Sequence, residues 1–165
     1  MKKFVLICLI LFPVIACSGD DKKDNEENMT TDPEVVDITE EAQVTNVTVQ
    51  GEPGAYTFAV EIKSPDTGCD QYADWWEVVT AEGTLIYRRI LAHSHVAEQP
   101  FTRSGGKIVI NPEDSVLVRV HMNNTGYARN VFSGSVAKGF KATEVQLEAD
   151  TTLAKTAPLP NGCGG

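Results

Sequence analysis

The sequence predicts an all-β fold in which two sheets pack face to face, and three observations support this. Several short segments alternate apolar and polar residues with the period of two that marks a half-buried strand. Turn-forming residues recur about every eight to twelve positions, and no long window keeps a helical period. This pattern is typical of an immunoglobulin-like or fibronectin-like β-sandwich of about seven strands. A jelly roll or a small barrel remains an alternative, because periodicity alone does not separate these architectures.

The first two strands are predicted at residues 42–50 and 56–62. Alternation is strict in the second, where Tyr56, Phe58, Val60 and Ile62 share one face. A turn of sequence Gly-Glu-Pro-Gly at residues 51–54 separates the two segments. The pattern therefore predicts a pair of strands joined by a turn.

The next two strands are predicted as a hairpin formed by residues 75–79 and 84–91. Gly83 lies in the connection, where a positive φ is needed. Trp75 or Trp76 is expected to be the buried core aromatic of this early strand. The remaining strands are predicted at residues 107–110, 115–122, 130–136 and 143–147.

Length and charge limit the possible functions. The chain has 165 residues, with 14 Lys and Arg against 23 Asp and Glu, for a net charge of −9. This length suits one globular domain and excludes a large multidomain enzyme. The acidic balance also argues against nucleic-acid binding, because phosphate recognition requires a clustered basic face.

The N-terminal residues have the pattern of an export signal. Lys2 and Lys3 precede an apolar stretch at residues 4–15, which is too short to span a bilayer. The following Val14-Ile15-Ala16-Cys17 resembles the lipobox of bacterial lipoproteins. That resemblance implies a signal peptide at residues 1–16, cleavage before Cys17, and acylation of Cys17 as a durable membrane anchor.

Residues 17–41 are predicted to be the lipidated Cys and a disordered tether, with residues 42–165 as the sandwich domain. Residues 18–41 contain ten acidic and two basic residues and no aromatic, so they bury too little apolar surface to fold. The acidic run resembles the surface-export signal of Bacteroidetes lipoproteins, although it is also compatible with a solvated spacer. Ser18 after the Cys resembles the enterobacterial pattern for sorting to the outer membrane. The sequence leaves open whether the protein faces the periplasm or the cell surface.

Two cysteines remain in the domain, Cys69 and Cys163. An even pair in an exported protein most simply forms one disulfide, and no CxxC spacing supports a redox or metal site. In the chain-entropy model, a crosslink between two residues as far apart in the sequence as Cys69 and Cys163 contributes on the order of 4 kcal/mol to the free energy of unfolding. We therefore expect a structural disulfide that ties the C-terminal segment to the turn before Trp75.

The three histidines form a candidate metal site. His93 and His95 are separated by one residue, so in an extended segment they point to the same side. His121 would complete a set of three imidazoles if its strand were a neighbour, and such a set suits copper or zinc. Further ligands could come from Met122, Asp70 or Glu98. The alternatives are polar residues on a solvated face and a pH-sensitive patch.

Three polar segments, at residues 69–76, 98–106 and 123–127, form a candidate ligand-binding surface. Loops on a sandwich carry binding because the scaffold holds them in place. The segments offer stacking and hydrogen-bonding side chains for a glycan or an envelope protein, namely Tyr72, Phe101, Arg103 and Tyr127. The alternative is turn chemistry together with core aromatics, although Phe101 is expected to be exposed.

Catalytic motifs are sparse. Ser94 between two histidines does not have the spacing of a triad, and no Gly-x-Ser-x-Gly motif occurs. Residues 68–127 also resemble a small group of bacterial exported proteins without an established activity, from which no site residue carries over. The sequence therefore predicts a non-catalytic binding module of the cell envelope, anchored by lipid, with a copper- or zinc-binding protein as the alternative.

Overall fold

The computed structural model describes residues 41–145 and 152–164. These residues belong to one compact unit, Val36–Gly165. The predicted signal peptide, the predicted lipidation site Cys17 and the predicted tether up to residue 40 lie outside the described residues.

Two antiparallel sheets confirm the predicted β-sandwich. The smaller sheet has the order β1-β2-β5, with β1 at Gln43–Gln50, β2 at Tyr56–Lys63 and β5 at Phe101–Ile108. The larger sheet has the order β4-β3-β6-β8-β9, with β7 paired to β6. Its strands are β3 (Ala73–Thr80), β4 (Leu85–Ile90), β6 (Val116–Met122), β7 (Gly126–Tyr127), β8 (Asn130–Ser135) and β9 (Gly139–Glu144).

The core lies between the two sheets. In β2 the predicted alternation is confirmed, because Phe58, Val60 and Ile62 are fully buried. Trp76 of β3 faces them and is also fully buried. Gly83 has φ of 86° in the β3–β4 turn, as the hairpin prediction required.

The prediction for β5 was wrong. We predicted a polar loop at residues 98–106 with an exposed Phe101, but β5 begins at Phe101, and this side chain is 1% exposed. Small residues in the strand hide the alternation. At Gly105 a Cβ atom would lie 2.6 Å from the Tyr87 hydroxyl and 3.0 Å from the Trp76 ring. Glycine therefore lets this strand approach the aromatic core closely.

The larger sheet is covered on its outer face as well, so β3 is buried on both sides. Because Trp76 faces the core, its neighbours Trp75 and Glu77 face outward. Glu77 is fully buried there. Its strand register places it opposite Arg88 of β4 and Arg119 of β6. The nearest oxygen–nitrogen distances are 2.6 Å to Arg88 and 2.8 Å to Arg119.

The C-terminal segment covers this ion cluster. It includes a short 3₁₀ helix at Leu153–Lys155, in which Leu153 is buried. The Arg88 guanidinium donates hydrogen bonds to the carbonyl oxygens of Leu153 at 2.8 Å, Thr156 at 2.5 Å and Pro158 at 3.1 Å. Arg88 thus links the buried carboxylate of the sheet to the backbone of the segment above it.

We expect Glu77→Gln to destabilise the fold by about 3–5 kcal/mol, because it leaves two buried guanidinium groups without their counter-charge. The midpoint of urea unfolding, followed by tryptophan fluorescence, measures this loss. Glu113→Gln is the matched control, since Glu113 only pairs with Lys138 at 3.8 Å on the exposed surface. Equal midpoints for the two variants would contradict the assigned role of Glu77.

Candidate functional site

Three loops and the C-terminal end meet at one end of the sandwich. The loops are residues 64–72 between β2 and β3, residues 91–100 between β4 and β5, and residues 123–125 between β6 and β7. Residues 161–164 join them. We call these four segments the loop pole. All three segments predicted to form a binding surface contribute to it, although part of each lies in a strand.

Asp66 organises the loop pole from inside. Its buried carboxylate accepts hydrogen bonds from the Ser64 hydroxyl at 2.7 Å, the Ala73 amide at 3.0 Å and the His95 amide at 2.8 Å. One side chain therefore joins the loop at 64–72 to the loop at 91–100. A carboxylate that accepts several hydrogen bonds fixes its partners strongly.

Asn123 makes a second set of loop contacts. Its side-chain oxygen accepts a hydrogen bond from the Tyr72 amide at 3.0 Å, and its side-chain nitrogen donates to the Cys69 carbonyl at 2.9 Å. Beside it, the Asn124 amide donates to Gln71 at 3.1 Å. The loop at 123–125 is thereby fixed to the loop at 64–72.

The predicted disulfide is confirmed. Cys69 and Cys163 are bonded, with their Cα atoms 5.5 Å apart. Next to the bond, the Gly164 amide donates a hydrogen bond to the Ala92 carbonyl at 2.6 Å. The C-terminal end is therefore attached to two of the three loops.

His93 and His95 are neighbours in different environments, with ring centroids 4.5 Å apart. His93 is exposed, and its Nδ1 is 3.0 Å from the Ser94 carbonyl, to which it donates. His95 is 3% exposed and stacks on Phe101 at 3.8 Å. Neither ring nitrogen of His95 has a hydrogen-bond partner among the described residues. Burial, with Arg103 and His93 nearby, lowers the pKa of His95 below its ordinary value of 6.5.

His121 lies apart from this pair. It is opposite Trp75 in the strand register and stacks on that ring at 3.7 Å, on the outer face of the larger sheet. Its Nδ1 is 2.7 Å from Asp74. Met122, the adjacent residue, points into the core.

The structure therefore does not bring the three predicted histidine ligands together. Strand alternation places His121 on the outer face, whereas His95 packs against Phe101, a residue of the inner core. Of the further candidate ligands other than Met122, Asp70 is exposed, and Glu98 is paired with Arg103 at 2.8 Å. This hydrogen bond lowers the pKa of Glu98. Within the described parts of the chain, no three His, Cys, Asp or Glu side chains are arranged to hold a metal ion.

The four predicted ligand-contacting residues have different positions. Tyr72 and Phe101 are 3% and 1% exposed, so neither ring is available for stacking on a ligand. Burial, with smaller contributions from Asp74 and Asp66, raises the pKa of Tyr72. Arg103 is partly exposed at the loop pole.

Tyr127 belongs to the ion cluster of the outer face. Its hydroxyl accepts a hydrogen bond from Arg88 at 3.3 Å, and the Arg119 guanidinium lies 3.8 Å from its ring centroid. Burial and the charge of Glu77 raise the pKa of Tyr127 to about 12. These contacts give Tyr127 a structural role in the described fold.

Sequence reasoning missed three adjoining depressions beside residues 89–94. Two open depressions, of about 440 and 500 Å³, border the disulfide and share Ala92, Cys163 and Gly164. A smaller cavity of about 100 Å³ lies between the end of β4 and His95. The predicted disulfide was the signal that could have indicated them, because it brings the C-terminal end against this loop.

The comparisons with known proteins are sparse. The chain matches no family model and no solved structure. A protein of Halomicrobium mukohataei named "Putative lipoprotein" is 43% identical over 88 residues, which cover 53% of this chain and 43% of that protein. The match thus spans less than half the length of that relative. No helix within residues 41–145 and 152–164 is long and apolar enough to cross a membrane.

We expect the stability of the protein to fall between pH 7 and pH 5 because of His95. Its pKa is lowered in the folded state, so the unfolded state binds the proton more tightly, and proton uptake below the ordinary pKa of 6.5 favours unfolding. One such group changes the free energy of unfolding by at most about 1.4 kcal/mol per pH unit. Urea unfolding at a series of pH values measures this slope.

Two variants test whether His95, and not another titrating group, causes this slope. His95→Gln should flatten the slope, whereas His93→Gln, which changes the exposed neighbour, should keep most of it. Identical slopes for the unmodified protein and His95→Gln would contradict this assignment.

Proposed function

We propose that this protein is a lipid-anchored, non-catalytic binding module of the cell envelope, and that the loop pole is its ligand-contacting surface. The observation that carries the proposal is the pre-organisation of this end. Asp66 and Asn123 join three loops with internal hydrogen bonds, and the disulfide of Cys69 adds a fourth segment. Loops fixed before binding lose less conformational entropy when a ligand arrives.

The lipid anchor is supported by the lipobox-like sequence ending at Cys17 and by the name of the similar Halomicrobium protein. Acylation of Cys17 would attach the chain to a membrane without a spanning segment. The acidic segment at residues 18–41 would then separate the lipid from the sandwich. Ser18 favours the outer membrane as the location.

A binding role fits the chemistry of the loop pole better than catalysis does. The buried Asp66 carboxylate and the exposed Asn123 side chain there are engaged in hydrogen bonds with other loop groups. The Asp74–His121 pair could resemble part of a catalytic triad, but the His121 ring packs between Trp75 and Tyr127 on the outer face. Exposed groups at the pole include Val96, which is 57% exposed. An envelope protein or a glycan is the ligand class that this surface would contact.

Replacing the acylated residue tests the anchor. We expect Cys17→Ser to move the full chain from the membrane pellet to the soluble fraction after cell lysis and centrifugation, because the thiol that accepts the lipid is lost. Cys8→Ser is the matched control, since Cys8 lies in the predicted signal peptide and should leave the distribution unchanged. Retention of Cys17→Ser in a carbonate-washed pellet would argue against the lipid anchor.

Photo-crosslinking in living cells tests the binding surface. A photoreactive phenylalanine analogue at Val96 should form a covalent adduct with an envelope component, identified by mass spectrometry. Val109 is the matched control, because it is also an exposed valine, at 71%, and follows the opposite end of β5. No adduct at position 96, or the same adducts at both positions, would overturn the assignment of the loop pole.

A further inference from the structure

The C-terminal segment is attached to the sandwich in two separate places. At residues 153–158, three backbone carbonyl oxygens accept hydrogen bonds from the buried Arg88 guanidinium. Residues 159–164 are held differently. Apart from the chain itself, the covalent and hydrogen bonds that join them to other described residues are the disulfide to Cys69 and one hydrogen bond to the loop at 91–100. The end of the segment therefore depends on the disulfide.

Both cysteines of this disulfide can be reached from solvent. Cys69 is exposed, and Cys163 is partly exposed. Both residues line the open depression of about 440 Å³, and Cys163 also lines the one of about 500 Å³. Exposed disulfides are reduced more easily than buried ones, because an attacking thiolate can approach a sulfur atom. A small dithiol can therefore reach this bond while the sandwich stays folded.

Residues 159–164 lie outside the core that holds the two sheets together. They have no regular secondary structure, and their largest apolar side chain, Leu159, is 43% exposed. The hydrophobic core cluster of the described residues contains none of them. Breaking the disulfide therefore frees the end of the segment as a local event, while Arg88 continues to hold residues 153–158.

We propose that the Cys69–Cys163 disulfide is a redox switch, which a dithiol reduces in the folded protein and which then releases residues 159–164 from the loop pole. Reduction removes one border of both open depressions, because Cys163 and Gly164 line each of them. The surface that changes is the proposed ligand-contacting surface. This inference therefore rests on the proposed function and adds a means of regulation to it.

The reduction proceeds in two exchange steps. A thiolate of the dithiol attacks the Sγ atom of Cys69, the more exposed cysteine, so that a mixed disulfide forms and Cys163 leaves as a thiolate. The second thiolate of the dithiol then attacks the reagent's own sulfur in the mixed disulfide, and Cys69 leaves in turn. Two electrons pass to the two cysteines, and the dithiol is oxidised to a cyclic disulfide. The two protons that the dithiol loses balance the two that the cysteine thiolates gain.

Amide hydrogen exchange, followed by NMR, tests the switch. The full chain, purified in detergent, is measured before and after treatment with dithiothreitol. We expect the Gly164 amide to exchange at least tenfold faster after reduction, because the disulfide no longer holds its hydrogen bond to Ala92 in place. The matched reporter is the Thr156 amide, which donates to the Leu153 carbonyl at 3.0 Å in the part of the segment held by Arg88. Its exchange rate should change less than twofold.

A variant separates the effect of the bond from that of the reagent. Cys69→Ser combined with Cys163→Ser lacks the disulfide, so its Gly164 amide should exchange at the fast rate with and without dithiothreitol. In the unmodified chain, reduction without denaturant should add two sites for alkylation by N-ethylmaleimide, counted by mass spectrometry. Its tryptophan fluorescence spectrum should stay the same, because the sandwich remains folded.

Reduction that occurs only in denaturant, an unchanged exchange rate of Gly164 after reduction, or loss of the native fluorescence spectrum on reduction would overturn this inference. The crosslinking experiment reports on the proposed function separately. An adduct at Val96 together with any of these three results would leave the binding module in place and remove only its redox control.

Discussion

The contact between Glu77 and its two arginines connects the sheet of this protein to its C-terminal segment. A fully buried carboxylate is stable only beside compensating charge, and the strand register supplies an arginine on each side. Arg88 then has donors left for three carbonyl oxygens of the segment at residues 153–158. Its guanidinium also lies 4.4 Å from the centroid of the Trp75 ring. A polar network thus covers a sheet face that would otherwise meet water.

The position of the C-terminal segment also determines which residues border the loop pole. Once Arg88 fixes the backbone near Pro158, the chain is directed to Cys163, which bonds to Cys69. The disulfide and the hydrogen bond from Gly164 to Ala92 form one border of the depressions. The ion cluster, the disulfide and the candidate binding surface are therefore parts of one arrangement, although they are far apart in the sequence.

The same arrangement gives the three histidines different environments. His121 is paired with Asp74 and stacked on Trp75, so it contributes to the cover of the sheet. His95 stacks on Phe101, and its ring nitrogens have no hydrogen-bond partner within residues 41–145 and 152–164, whereas His93 is exposed. The paired His121 therefore belongs to the cover of the sheet, whereas His93 is accessible to solvent at the loop pole.

The sequence by itself determined those features that depend on local periodicity or on composition. The alternation of β2, the glycine turn between β3 and β4, a buried tryptophan at position 75 or 76 and the single disulfide all followed from neighbouring residues or from counting cysteines. Tertiary structure decided the burial of Phe101 and Tyr72, the separation of His121 from His95, and the pairing of Glu77 with Arg88 and Arg119. These depend on which strands become neighbours and on which face the C-terminal segment covers. These long-range contacts are set by the packing of the whole chain. The alternation of apolar and polar residues shows that a strand has two different faces, but it does not show which residues each face will contact.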